Sequence, residues 1–378
     1  MKSRAYDVAV VGGGIVGAAV AWELARAGQR VVVLDKQQPG MEASWAAAGM
    51  LAPGAETPDS VPVAPLGRAS LALYPEFVAA IEADSGMRVR YEPGDGLQVF
   101  FGEEAEHEAE AFIRLHRELG MRGEIIPLDQ ARQIEPALSA QARAVVLAKN
   151  EARVDTRALM AAVLAAAEKR GAELRTGCAV QGVRIEDGRV HGVKTEAEEI
   201  SAGCVVVAAG CWSGGLAEMS RYAPTSPVRG QMVALRSEGV QIRHVVRSHH
   251  GYIVPRADGR LICGSTAENA GFEKRVTPEG QQKILDAVVE LVPALADATV
   301  VETWSGLRPD TPDHRPSLGP TDVEGLYMAT GHYRNGVLLA PITARLMREW
   351  IVEGQTISFV AEAFSPMRFT ATSSDPIV

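Results

Sequence analysis

The segment from residue 8 to residue 35 restricts the fold more than any other part of the chain. Val8-Ala9-Val10-Val11 is an uninterrupted apolar run, as expected of a strand buried on both faces. Gly12-Gly13-Gly14-Ile15-Val16-Gly17 follows, and residues 15–27 then carry Val16, Val20, Leu24 and Ala27 at three- and four-residue steps, the spacing of one helical face. Gly28 is placed to stop that helix, and residues 31–34 are a second apolar run closed by Asp35. A strand, a glycine turn, a helix and a second strand form a βαβ unit, so the chain is predicted to be α/β with a parallel sheet.

The turn also carries a ligand argument. It matches G-x-G-x-x-G, with a strand before it, a helix after it and an acid 18 residues past Gly17, near the spacing of about 20 typical of dinucleotide sites. Gly12 permits the tight turn, Gly14 lets backbone approach a pyrophosphate, and Gly17 lets helix and strand pack closely. Ile15 and Val16 open the helix, whose free N–H groups and positive dipole end favour phosphate. Asp35, followed by Lys36, is predicted to accept hydrogen bonds from a ribose. Met328-Ala329-Thr330-Gly331, leading into a helical stretch over 336–353, brings a second helix start into the same layer. Positive dipole there stabilises the anion of a reduced flavin and has no use beside nicotinamide, so the dinucleotide is read as FAD.

At 378 residues the chain has room for two to three domains. Helices are expected over 69–84, 103–119 and 156–170. Extended pieces over 89–92 and 97–101 are expected to be split by a turn at Pro93-Gly94-Asp95-Gly96. A hairpin is read over 179–185 and 190–195, and a strand over 205–208 that ends on Gly210. Antiparallel segments are read over 232–235, 252–255 and 261–264, and a last strand over 326–330. The expected architecture is a Rossmann-like FAD-binding domain from residues 1–51, 144–225 and 300–360. An antiparallel-sheet substrate domain from 52–143 and 226–299 is interleaved with it.

Composition narrows the partners. Forty-seven acidic against 38 basic residues give a net charge of −9, a poor match to nucleic acid or to an anionic membrane. Four cysteines with no C-x-x-C pair give neither a disulfide framework nor a zinc site, and no metal is expected. The Met1-Lys2-Ser3-Arg4 start superficially resembles a secretory leader. Asp7 and the glycine cluster weaken that reading, and a soluble cytoplasmic protein is expected.

Four segments together resemble the FAD-dependent D-amino acid oxidase family, and within it the bacterial glycine oxidases of thiamine synthesis. They are the glycine turn, Ser44-Trp45-Ala46-Ala47-Ala48-Gly49-Met50-Leu51, Gly306-Leu307-Arg308-Pro309, and Gly331-His332-Tyr333-Arg334-Asn335-Gly336. The resemblance implies hydride loss from an amino acid α-carbon to flavin, hydrolysis of the imine to a 2-oxo acid and ammonia, and reoxidation by O2 to hydrogen peroxide. It also implies a homo-oligomer, a tetramer in many members.

Residue roles follow from the same resemblance. Arg308 matches a carboxylate-binding arginine, a role suited to the planar fork of a guanidinium, and is read as lying in a turn just after a strand. Tyr252 matches a tyrosine that adds a hydroxyl to that carboxylate, and Met50 a residue facing substrate. Arg334 matches a loop that either contacts flavin through backbone or places the arginine near substrate. Ala43, Ser44, Ala48 and Gly49 match flavin contacts, and Val180 one that holds the adenine end. Gly210 and the run His332, Tyr333, Arg334, Asn335, Gly336, Val337 and Leu338 complete the cofactor set.

The sequence departs from its relatives in two places. No cysteine lies near Gly306–Arg308, where related sarcosine oxidases attach flavin, so FAD is expected to be non-covalent. Gly264-Ser265-Thr266-Ala267-Glu268 lacks the pocket methionine of glycine oxidases, which leaves glycine, sarcosine, D-alanine and D-proline open as substrates. A quinone-linked D-amino acid dehydrogenase and a flavoprotein subunit without its own oxidase activity remain as other readings.

Overall fold

A computed structural model describes residues 6–54, 58–356 and 362–370. Its elements run β1 Tyr6–Val11, α1 Ile15–Arg26, β2 Val31–Leu34, α2 Ala43–Ala46, β3 Met50–Leu51, α3 Ala64–Ser85 and β4 Tyr91–Phe100. They continue with α4 Ala105–Glu118, β5 Arg122–Ile126, α5 Leu128–Ile134, β6 Ala144–Val154, α6 Thr156–Lys169, β7 Glu173–Arg175 and the hairpin β8 Val180–Glu186 and β9 Arg189–Thr195. Next come β10 Glu199–Val207, β11 Ser226–Arg236, β12 Val245–Arg247, β13 Tyr252–Pro255, β14 Arg260–Gly264 and α7 Pro278–Leu291. The last are β15 Thr299–Asp310, β16 Ser317–Pro320, β17 Leu326–Thr330 and α8 Gly336–Arg348. The charged start at residues 1–4 lies outside the described residues.

One sheet has the order β16-β17-β10-β1-β2-β7, with the β8–β9 hairpin attached through β10. From β17 to β7 its ladders are parallel. β1 lies inside it with helices α1, α3, α6 and α8 packed on one side. The hairpin and Tyr222 contribute to the apolar cluster on the other side. Burial on both faces is why β1 and β2 read as unbroken apolar runs rather than as alternation. The Asp155 carboxylate caps α6 by accepting from the N–H groups of Arg157 and Ala158, satisfying two of the donors a helix start leaves over.

The second sheet has the order β15-β11-β14-β13-β12-β4-β6-β3, with β5 on β6. All its ladders are antiparallel except β12–β4. The short strand β3 joins it through Met50 and Leu51. The chain leaving the βαβ unit is thereby stitched straight onto the second sheet. Strands β6 and β15 also belong to this sheet, although the expected boundaries at 144 and 300 put both in the other unit. A strand goes with its ladder, and β6 is paired with β4 and β15 with β11 almost end to end.

Two expected turns are strand. Pro93-Gly94-Asp95-Gly96 lies inside β4, with a register shift between Gly94 and Gly96. The bulge absorbs the extra residue, and Pro93 forfeits no ladder bond on its other side because β12 pairs only with Gly96–Gln98. Gly306-Leu307-Arg308-Pro309 lies inside β15, where Pro309 is tolerated because β15 is an edge strand. The last helix is shorter than expected, α-helical to Arg348 with one π turn over Glu349–Glu353, and α3 begins five residues earlier than expected, at Ala64.

Candidate active site

A cavity of about 430 Å³ lies at the C-terminal ends of β1, β2, β10 and β17 and reaches β11, β13 and β15 of the second sheet. It is lined by all the residues assigned above to cofactor or substrate except Gly17. Gly17 acts from behind. A Cβ there would run into the Gly12 carbonyl, and one on Gly12, whose φ is +102°, would run into the carbonyl of Ala208 at the end of β10. The two glycines let α1 sit directly on the turn and the turn sit on the central strands. The turn's N–H groups are already ordered. Gly13 donates to Asp35 Oδ2 at 2.8 Å and Ile15 to Ser44 Oγ at 2.9 Å.

Asp35 thus has a duty besides the expected ribose contact, because Gln37 N–H also donates to its Oδ1 at 3.0 Å. Each carboxylate oxygen has two lone pairs, so these bonds leave acceptor capacity for a sugar hydroxyl. The Lys36 ammonium lies 3.3 Å from the Trp212 ring centroid, within cation–π range. Trp212 lines the cavity beside Gly210 and the sequence reading missed it. Val180 begins β8 and lines the same cavity. Cys178 and Cys211 also line the cavity. Burial raises both thiols, Cys211 to about 12, so neither supplies a reactive thiolate near neutral pH.

The alanine-rich segment after α2 is held by three distant side chains. Trp304 Nε1 donates to the Ala46 carbonyl at 3.0 Å, Thr156 Oγ1 to Ala47 at 2.9 Å, and Arg256 Nη2 to Ala48 at 2.6 Å. Gly49, at φ +75°, comes so close to Val154 that a Cβ would meet its carbonyl. Successive carbonyls fixed in this way make Ala43–Met50 a rigid wall. None of the three donors was legible, since they lie 109 to 258 residues away in sequence.

The loop from Gly331 to Asn335 joins β17 to α8. Tyr333 N–H donates to the Pro309 carbonyl at 2.8 Å, tying the loop to β15. His332 is buried against Thr343, Nε2 to Oγ1 at 3.1 Å. Burial pushes its pKa down to about 3, so it is neutral and not a proton carrier near pH 7. No side chain caps α8, and Gly336, Val337 and Leu338 in its first turn line the cavity. Arg334 is exposed at the rim, with its Nη2 3.3 Å from Tyr333 Oη.

At the other end of the cavity, four strands each deliver one side chain. Arg308 on β15 lies over Gly230 of β11, where a Cβ would fall among the guanidinium atoms. Its Nη1 donates to the Thr266 carbonyl at 3.0 Å and its Nη2 to Ser265 Oγ at 2.7 Å. Tyr252 on β13 has its hydroxyl 3.5 Å from Met232 Sδ on β11. Gly264 lies between them, and a Cβ there would press on both groups. Met50 on β3 lines the same end. Gly230 and Met232 were not singled out from sequence. The missing methionine near Ala267 was the only hint, and a thioether comes instead from β11.

The groups present fit a flavin dinucleotide. A glycine cradle that any Cβ would fill, an acid beside it and an uncapped helix start at the far wall are matched to a pyrophosphate, a ribose and an anionic ring edge. Among the described residues no helix is long and apolar enough to cross a membrane, and no cluster of His, Cys, Asp and Glu could hold a metal ion.

Comparison with known proteins agrees with this geometry. The chain is 34% identical to glycine oxidase of Geobacillus kaustophilus over 96% of its own length and 97% of that protein's. The crystal structure of glycine oxidase from that organism superposes with a TM-score of 0.91, covering 97% of this chain and 99% of that one at 31% identity. The chain is 36% identical to the bifunctional protein ThiO/ThiG of Synechocystis over 98% of its own length. It spans only 55% of that protein, so it corresponds to about half of such bifunctional relatives. The family model described as FAD dependent oxidoreductase matches residues 7–350, and the chain belongs to that family.

Proposed function

We propose that this protein oxidises glycine and other small amino acids, sarcosine and D-alanine among them, to the imine. O2 is the final electron acceptor and hydrogen peroxide a product, and water converts an imine that is not passed on to a 2-oxo acid and ammonia, or methylamine in the case of sarcosine. The observation that carries the reading is that the guanidinium of Arg308, Tyr252 and Met232 line one end of the cavity that the glycine turn also lines. A guanidinium fork suits a carboxylate, and two thioethers suit the apolar surroundings of a small Cα substituent. FAD, held non-covalently by the glycine turn, Asp35, the 43–50 wall and the start of α8, supplies the two-electron acceptor. Arg308 binds the substrate carboxylate, Tyr252 adds a hydroxyl to it, and Met50 and Met232 keep water out. Arg334 acts from the rim. The relatives named above support a place in thiamine thiazole synthesis, with the imine as the compound passed on. A homo-oligomer is part of the same proposal.

The test is a peroxide assay in aerated buffer across glycine, sarcosine, D-alanine and D-proline, paired with anaerobic flavin bleaching. Peroxide and bleaching are expected with at least one of them. Bleaching without peroxide identifies a dehydrogenase, and neither signal across the panel overturns amine oxidation. Arg308→Ala is expected to raise KM about a hundredfold or more while flavin stays bound. Parallel loss of flavin and activity would make Arg308 structural.

A further inference from the structure

Two acceptors orient Arg308, the Thr266 carbonyl and the Ser265 hydroxyl, and a buried network outside the cavity holds the segment that carries them. Gln231, with no exposed surface, is the neighbour of Gly230 and points to the opposite face of β11. Its backbone N–H donates to the Thr266 hydroxyl at 2.9 Å, and its Nε2 to Glu268 Oε1 at 2.8 Å and to Thr277 Oγ1 at 3.0 Å. Its amide oxygen accepts from Thr277 N–H at 2.8 Å. The Thr266 hydroxyl in turn donates to Glu268 Oε1, and Arg229 donates to Oε2. Reciprocal backbone bonds of 2.9 Å between Arg229 and Glu268 close the ring. Gln231, Thr266 and Glu268 do not line the cavity.

We propose that Gln231, Thr266 and Glu268 are positioning residues, which set the plane of the Arg308 guanidinium for a substrate carboxylate. The inference rests on the reading of Arg308 as the carboxylate anchor. An arginine side chain is long and has many rotamers, and two parallel hydrogen bonds to a carboxylate need one orientation of its plane. Charge alone attracts the anion from any orientation. A locked plane removes the ordering cost at the moment of binding. Disturbing the network therefore weakens carboxylate binding without touching the dinucleotide end.

The experiment uses FAD-loaded enzyme and acetate, a carboxylate with no amine to oxidise, followed by perturbation of the flavin absorbance. Thr266→Val removes the hydroxyl at nearly constant shape. It is expected to raise the Kd for acetate and the KM for glycine about tenfold, with kcat within threefold and flavin content unchanged. Thr266→Ser is expected to recover most of the binding. Glu268→Gln carries the same test if Thr266→Val gives no holoenzyme. In an Arg308→Ala background the Thr266 substitution is expected to add nothing. An equal further loss there would overturn the proposal, and so would an unchanged acetate Kd in Thr266→Val. If Arg308→Ala itself leaves acetate binding intact, the anchor reading fails first, and the two failures are distinguishable.

Discussion

At the dinucleotide end of the cavity, the groups that shape the site are the backbone and close-packed glycines of one short turn, Gly12 to Gly17, with the Asp35 side chain beside them. At the other end, the one proposed for substrate, they are side chains, Met50, Met232, Tyr252 and Arg308, from four separate strands. A backbone-built site tolerates almost no substitution, because a Cβ at Gly12 or Gly17 meets another backbone atom that cannot yield. A side-chain-built site can be retuned one residue at a time while the sheet beneath it stays intact. The same molecule is thus rigidly specified at one end and adjustable at the other.

The most severe test of this contrast is Gly17→Ala. One methyl group would collide with the Gly12 carbonyl, and helix and turn would have to part. Flavin content is expected to fall about a hundredfold, or folded protein to be lost outright, as read from the ratio of flavin to protein absorbance. A yellow, fully loaded Gly17→Ala protein would show that the backbone cradle is softer than described.

Acid gives a milder test, set by the layers packed on the two sheets rather than by the cavity itself. The two sheets each carry a buried neutral histidine: His332, bonded to Thr343 beside the start of α8, and His116, outside the cavity on α4 and packed on Phe112. Burial lowers His332 to about 3 and His116 to about 4, the latter helped by the charge of Arg247. With folded values below the unfolded value of 6.5, the unfolded chain binds more protons in between. Stability is then complete above about pH 6.5 and is lost as pH falls toward 4 for His116 and toward 3 for His332. At about 1.4 kcal/mol per unit, His116 accounts for up to roughly 3 kcal/mol by pH 4. Among the described residues its Nδ1 has no hydrogen-bond partner, so His116→Phe is expected to flatten the fall in Tm between pH 6.5 and 4.5. That window lies above the range in which Asp84 and Asp313, with lowered values, begin to protonate. An unchanged slope would place the acid sensitivity elsewhere.

How much could be read in advance follows from the same contrast. The βαβ unit, its glycines and Asp35 were legible because their spacing along the chain is their spacing in space. Arg308 and Tyr252 came only through resemblance, since nothing local distinguishes a strand arginine that faces a cavity from one that faces solvent. The Gly306–Pro309 and Pro93–Gly96 segments looked like turns because composition signals a turn wherever Gly and Pro cluster, whereas an edge position and a bulge made them strand. The donors that pin Ala46, Ala47 and Ala48, and the Gln231 network, depend on pairings across more than a hundred residues or across strand faces. No local periodicity reports them.

Gly230→Ala is the mildest and most discriminating break. Gly230 lies in the middle of β11 with no left-handed backbone, so alanine suits its conformation and lowers the entropy of the unfolded chain. The three atoms nearest to the added Cβ all belong to the guanidinium of Arg308, the far end of a flexible side chain that can move aside. Arg308 would then leave the Thr266 carbonyl and the Ser265 hydroxyl, and the fork would lose its set plane. Thermal stability and flavin content are expected to hold, while KM for glycine rises about tenfold, equivalent to roughly 1.4 kcal/mol of transition-state stabilisation. An unchanged KM would mean that charge rather than orientation binds the carboxylate. Loss of flavin would mean that the two ends are mechanically coupled, and the division into a backbone-built and a side-chain-built half would fail.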